Sequence, residues 1–285
     1  FALWKFSYPT TRSDGSTFGN FFDPNREKKR QMEWEFEGRQ GFPGWHIECS
    51  AMSEALLGQP FDIHCGGVDH IPVHHENEIA QSEAAFDKPL ANYWMHSEFL
   101  LVDGGRMGKS EGNAYLLDEL VARGFDPLAF RYYCLGTHYR SKLNFTWEGL
   151  AGAQNALRKL QNAARNLSIG THGNAPVPGF VDALSEDLNT PKALATMWEL
   201  LGFSASDEEK GNALVEMDRV LGLGLADIIG KPVSVPDDIA ALAEERELAR
   251  KNKDWKKSDE LRDAIKAKGW IVEDTKEGYE LHFVE

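Results

Sequence analysis

The sequence predicts an α/β layer, then a helical bundle, then a small α+β module. Three observations carry that expectation. Residues 1–140 alternate short apolar strand candidates with helical segments, the pattern of a layered α/β unit. Residues 141–232 read as helices, with apolar side chains at helical spacing. Residues 236–285 carry two further helical segments and then an alternating pair of runs.

In the first part, Phe61 to His64 is a strand candidate running into Gly66-Gly67, and Glu98 to Val102 is another, followed by the turn signal Asp103-Gly104-Gly105. Val73 to Phe86 is a helix candidate. Asp126-Pro127 supplies a cap and a proline at the first helical position for Leu128 to Leu135. Residues 10–41 are rich in Gly, Asn, Arg and Glu without a clean period, so a loop or small insertion is expected there.

In the second part, Leu150, Ala153, Asn155 to Leu157, Leu160, Ala164 and Leu167 form one stripe. Gly170 to Gly179 reads as a loop. Asn189-Thr190-Pro191 opens another helix carrying Leu194, Met197, Trp198 and Leu201. In the third part, Ile239 to Lys251 and Asp254 to Lys268 are helices, the second with Trp255, Leu261 and Ile265 at helical spacing. Gly269 stands where a C-terminal cap is expected. Trp270 to Glu273 and Tyr279 to Val284 then alternate around a Lys276-Glu277-Gly278 turn.

Composition narrows the function classes. The chain has 285 residues, enough for two or three domains with a core. No apolar run approaches a membrane span and no signal peptide is visible, which points to a soluble, cytoplasmic protein. Three cysteines do not make a disulfide framework. Cys65 and Cys134 are expected to be buried thiols. A net charge of −14 argues against indiscriminate nucleic-acid binding, although clustered basic residues can still bind it locally. The densest basic patch is Arg246, Arg250, Lys251, Lys253, Lys256 and Lys257. It reads either as phosphate contacts or as charges alternating on solvated helices.

The chemistry-bearing residues converge on Cys49, His74 and Glu78. On a helix, His74 and Glu78 share one face a turn apart, while His75, offset by one, should face elsewhere. Sulfur, imidazole nitrogen and carboxylate oxygen are all Zn²⁺ ligands, and three protein ligands leave a fourth position open. Such a position suits a substrate thiol. A zinc peptidase would need His-Glu-x-x-His, and Ile79 breaks that pattern.

The wording around these residues resembles the class I cysteinyl-tRNA synthetases. Residues 44–52 read GWHIECSAM, residues 61–69 read FDIHCGGVD, and residues 74–81 read HHENEIAQ. Residues 106–113, RMGKSEGN, resemble the family's KMSKSxGN loop. Cys49 precedes His74 by 25 residues, at the family's spacing. The resemblance implies the C-terminal half of a Rossmann-type catalytic domain over 1–140. It also implies a helical tRNA-stem domain over 141–232, which Asp187 to Pro191 resembles in wording, and an anticodon-region module over 236–285. The family's N-terminal part, with a zinc-binding Cys and a HIGH motif, is expected to be missing, along with one zinc ligand and one ATP motif.

For function, the resemblance implies a cysteine–tRNA ligase. Such an enzyme joins L-cysteine to ATP as cysteinyl-adenylate and passes the aminoacyl group to tRNA(Cys), as a monomer with one Zn²⁺ and with Mg²⁺ accompanying ATP. It implies Cys49, His74 and Glu78 as metal ligands and Lys109 and Arg106 as ATP contacts. Trp45, His46, His64 and Asp69 would line the substrate pocket, with Asp69 facing the amino group. Arg250, Lys253, Lys256 and Lys257 would contact tRNA. Arg106 stands where the family has lysine, and Gly108 where it has serine. Trp45 as core, His64 as a satisfied strand-end histidine and Asp69 as a turn residue are the structural alternatives. A cysteine ligase acting on an amino sugar, which would not need residues 236–285, and a non-catalytic tRNA- or zinc-binding fragment are the competing functions.

Overall fold

A computed structural model describes residues 2–7, 10–11, 17–18, 32–170, 177–231, 234–275 and 278–283. They form two compact units, Phe1–Phe99 and Leu100–Glu285.

The first unit begins with strands β1 (Trp4–Phe6), β2 (Thr10–Thr11), β3 (Thr17–Phe18), β4 (Trp34–Phe36) and β5 (Arg39–Pro43). β5 pairs antiparallel with both β1 and β4, while β2 pairs with β3. Where it is described, the segment expected as a loop or small insertion over residues 10–41 thus carries short paired strands. The two residues joining β4 to β5, Glu37 and Gly38, have φ of 51° and 71°, the left-handed pair that a tight hairpin requires. That turn does not show in a periodicity search of the segment.

Helix α1 (Trp45–Leu57) follows, then β6 (Phe61–Gly67), a 3₁₀ turn (Val68–His70) and a π-helical turn (Ile71–His75). Helix α2 (Glu76–Phe86) and β7 (Ala91–Ser97) complete the unit. β6 and β7 are parallel, with His64 opposite Trp94 and Gly67 opposite Ser97. The α2 crossover joins them, since parallel neighbours cannot be joined by a tight turn. The expected helix over Val73 to Phe86 is thus present, but its first turn is underwound into π geometry.

The second unit starts with β8 (Leu100–Val102) and β9 (Gly105–Arg106), a hairpin around Asp103-Gly104. Helices α3 (Leu117–Ala122) and α4 (Pro127–Leu135) lead to β10 (Leu143–Phe145), which pairs parallel with β8. Asp126 caps α4 by accepting from the Leu128 amide at 2.8 Å. Next come α5 (Trp147–Arg165), α6 (Pro178–Ser185), α7 (Thr190–Gly202) and α8 (Asp207–Leu221). The α5 stripe buries Leu150, Ala153, Leu157, Leu160 and Ala164, with Gln154 inside it and Asn155 exposed. Asn189 caps α7 at the Lys192 amide, and α6 begins at Pro178, inside the expected loop. Residues 171–176 of that loop lie outside the described residues.

Helices α9 (Asp237–Lys251) and α10 (Trp255–Ala267) and the antiparallel pair β11 (Trp270–Thr275) and β12 (Gly278–Phe283) enclose a small core of their own. It consists of Ile239, Ala243, Ile265, Trp270 and Val272. Asp254 caps α10, and Gly269 adopts φ of 80° just past its end. Lys276 and Glu277 of the expected turn lie outside the described residues. No helix among the described residues is long and apolar enough to cross a membrane.

Two thiol expectations change. Cys65 is exposed, because that face of β6 is open, and Cys134 is only partly buried. Burial pushes the Cys134 thiol above its ordinary range.

Candidate metal centre

The first turns of α1 and α2 bring the site residues together. Helical spacing puts Trp45, His46 and Cys49 on one side of α1. The π turn and the start of α2 present His74 and Glu78. Cys49 Sγ, His74 Nε2 or Nδ1 and a Glu78 oxygen lie within 4.8 Å of one another. His74 Nε2 is 3.6 Å from Glu78 Oε2. That is close to the separation of two ligands about 2.1 Å from one tetrahedral ion.

Glu78 is fully buried. Its Oε2 lies 3.0 Å from His64 Nε2, while Oε1 has no hydrogen-bond partner among the described residues. A buried carboxylate oxygen left without a partner is costly, and a cation removes that cost. His46 Nδ1 and His74 Nδ1 are 2.8 Å apart, so the bond to His46 leaves the Nε2 of His74 for another partner. Burial, and then the neighbouring His46, His70 and His64, lower the His74 pKa against the opposing pull of Glu78. A lowered value keeps the imidazole neutral, the form that binds metal. Burial, with Glu78 and Glu48 behind it, raises the Cys49 thiol above its usual range, so the residues alone favour the thiol form. The donor set and its orphaned oxygen fit a Zn²⁺ ion.

His75 corrects the sequence expectation. It is buried, with Nε2 only 3.8 Å from Glu78 Oε2. The π turn advances less per residue than an α turn, so consecutive His74 and His75 both reach the Glu78 side. Burial, followed by His64, His96, His70 and His74, drives its pKa down to about 4. Gly66 makes the space: a Cβ there would stand 2.6 Å from His75 Cε1 and 2.9 Å from His70 Nδ1. The sequence signal for this was Gly66 together with the consecutive histidines.

Of the pocket residues, Trp45 is half exposed and packs its ring 4.3 Å from that of His74. His64 lies against Trp94. Asp69 sits in the 3₁₀ turn with its carboxylate folded over Gly67, where a Cβ would meet Oδ1 at 2.4 Å.

In the second unit, the Arg106–Asn113 loop is held by one side chain. Asn113 Oδ1 accepts from the Gly108 amide at 2.8 Å and its Nδ2 donates to the Arg106 carbonyl at 2.9 Å. Met107 packs on the core below. Gly108 has room for a serine, since its Cβ would find nothing nearer than 3.6 Å among the described residues. Arg106 is exposed, and the Lys109 side chain lies outside the described residues.

The C-terminal basic patch is largely paired. Arg246 is buried against Asp274, so it is a structural residue and not part of a surface patch. Arg250 also reaches Asp274, Lys257 reaches Glu245 at 2.7 Å, and Lys251 and Lys256 meet acids one turn along. Lys253, at φ of 59°, has no ion-pair partner among the described residues.

With this geometry in hand, comparison with known proteins decides the family. Residues 18–155 match the model of the class I (C) tRNA synthetase catalytic domain. Residues 233–280 match that of the cysteinyl-tRNA ligase anticodon binding domain. The chain belongs to the class I cysteinyl-tRNA synthetase family. It is 48% identical over 283 residues to Cysteine–tRNA ligase 1 of Burkholderia lata, covering 99% of this chain and 57% of that protein. It is 40% identical over 288 residues to the cysteine–tRNA ligase of Chlamydia muridarum, covering 90% of this chain and 59% of that one. The chain therefore spans less than two thirds of these cysteinyl-tRNA synthetases. A LeuRS of Agrobacterium radiobacter K84, solved in a ternary complex with tRNA and LeuAMS, matches 77% of this chain and 33% of its own. Its TM-score of 0.50 at 15% identity indicates a shared fold.

Proposed function

We propose that the chain serves as a cysteine–tRNA ligase, using ATP to activate L-cysteine and transferring it to tRNA(Cys). The observation that carries this reading is the convergence of Cys49, His74 and Glu78 around an unpartnered buried oxygen. A zinc ion held by these three would supply a position that takes a thiolate in preference to a hydroxyl. That preference matters because a shaped pocket alone separates near-isosteres such as cysteine and serine poorly.

The chain's own residues do the rest. Trp45 walls the pocket beside His74, and His46 and His64 hold the ligands while bordering the substrate. Asp69 accepts from the substrate ammonium. Arg106 and Lys109 place positive charge where negative charge develops on the ATP phosphates, on a loop that Asn113 pre-organises. The three-part division at 1–140, 141–232 and 236–285 assigns these steps to the first part and tRNA contact to the other two. Lys253 leads the tRNA contacts, with Arg250, Lys256 and Lys257 able to exchange exposed ion pairs of small worth for phosphates. The chain acts as a monomer, with Mg²⁺ accompanying ATP.

The match of residues 233–280 to an anticodon-binding domain favours tRNA over an amino sugar as acceptor. The test is cysteine-dependent exchange of pyrophosphate into ATP with the zinc-loaded chain. Exchange with cysteine and none with serine is expected. No exchange with either would reduce the chain to a non-catalytic tRNA- or zinc-binding piece.

A further inference from the structure

Glu78 is the node of two donor sets. Cys49 and His74 form one with it, and His64 and His75 form the other; in each, the donor atoms lie within 4.8 Å of one another. His64 Nε2 and His75 Nε2 are 3.0 and 3.8 Å from Glu78 Oε2, and the 3.6 Å of His74 falls between them. Distance therefore does not favour the sulfur-bearing set.

The second set is also built. His75 Nδ1 lies 2.8 Å from His96 Nε2, the outer hydrogen bond that fixes the ring of a metal-ligating histidine and leaves Nε2 for the ion. Trp94 borders both rings. Gly66 admits the His75 ring where any Cβ would exclude it. Two imidazoles and one carboxylate are a donor set used by divalent first-row metals.

We propose that His64, His75 and Glu78 form a second, sulfur-free position for a divalent transition metal, alternative to the Cys49–His74–Glu78 position, with which it shares Glu78. The inference rests on reading the Cys49 set as a metal site and adds a place for the ion when the sulfur is lost. Retention of metal then does not depend on Cys49, for example after its oxidation, whereas thiol selection does.

The test is Co²⁺ titration of the full chain, read by optical absorption. The unsubstituted chain should show a sulfur-to-cobalt charge-transfer band together with visible ligand-field bands. Cys49→Ala should lose the first and keep the second, with affinity within about a hundredfold of the parent, no more than the loss of an outer-shell partner costs. In that background, His64→Ala or His75→Gln should abolish the ligand-field bands, whereas His74→Ala should leave them. If His75→Gln fails to fold, His64→Ala carries the test, since that side chain is 16% exposed.

A Cys49→Ala chain that binds no cobalt would overturn the proposal. So would one whose binding is lost with His74→Ala and indifferent to His64→Ala. Absence of the sulfur band from the unsubstituted chain would instead overturn the Cys49 reading, leaving the second position to be judged by the ligand-field bands.

Discussion

Glu78→Gln is expected to abolish zinc binding, lowering affinity by more than the ten- to hundredfold that follows loss of an outer-shell partner. The carboxylate is fully buried, belongs to both donor sets and holds the only oxygen donor in either. Glutamine keeps the shape and a carbonyl oxygen but removes the charge, so no alternative set remains. Cys49→Ala should be far milder for retention, because His64 and His75 stay in place. The readout is the rise in melting temperature on adding zinc, which measures ligation to the folded state. The parent should rise with zinc concentration and Glu78→Gln should not move. A parent-like rise in Glu78→Gln would remove Glu78 from the centre.

Asp274→Asn is expected to destabilise the C-terminal module by about 3 kcal/mol, the cost of leaving a buried cation without its counter-ion. Arg246 donates to Asp274 through Nη1 at 2.8 Å and Nη2 at 3.1 Å, and its Nε already lacks a partner among the described residues. Arg250 adds a second pair to the same carboxylate. The Arg246 hydrogen bond, opposed by burial and helped by the charges of Arg246, Arg250 and Arg262, holds the Asp274 carboxyl below its ordinary 3.8. A depressed native value stabilises the fold above the unfolded value and is lost as pH falls through the native one. Denaturant midpoints of parent and variant should therefore differ by a constant amount down to about pH 4 and converge below it. A gap that persists unchanged at pH 2 would place its origin in packing.

Much of this was legible in local sequence. Asp126, Asn189 and Asp254 mark helix starts because a short polar side chain there satisfies an amide that the helix leaves open. Gly269 marks a helix end because the left-handed conformation favours glycine. The family motifs named Cys49, His74 and Glu78, and those three do meet. The remainder needed tertiary information. A spacing argument assumes 3.6 residues per turn, so the π turn at Ile71–His75 hid His75 from it. Several partners of the basic patch come from elsewhere in the module: Asp274 from β11 for Arg246 and Arg250, and Glu245 on α9 for Lys257 of α10. A count of lysines and arginines along one segment cannot see them. The β4–β5 hairpin depends on two left-handed residues, one of them a glutamate, that carry no periodic signal.

X-ray absorption at the zinc edge of the loaded chain tests the central claim most directly. The account predicts one sulfur at about 2.3 Å with the remaining ligands nitrogen or oxygen at about 2.0–2.2 Å. A first shell with nitrogen and oxygen alone would contradict it, by removing Cys49 from the metal and with it the physical basis for selecting a thiol.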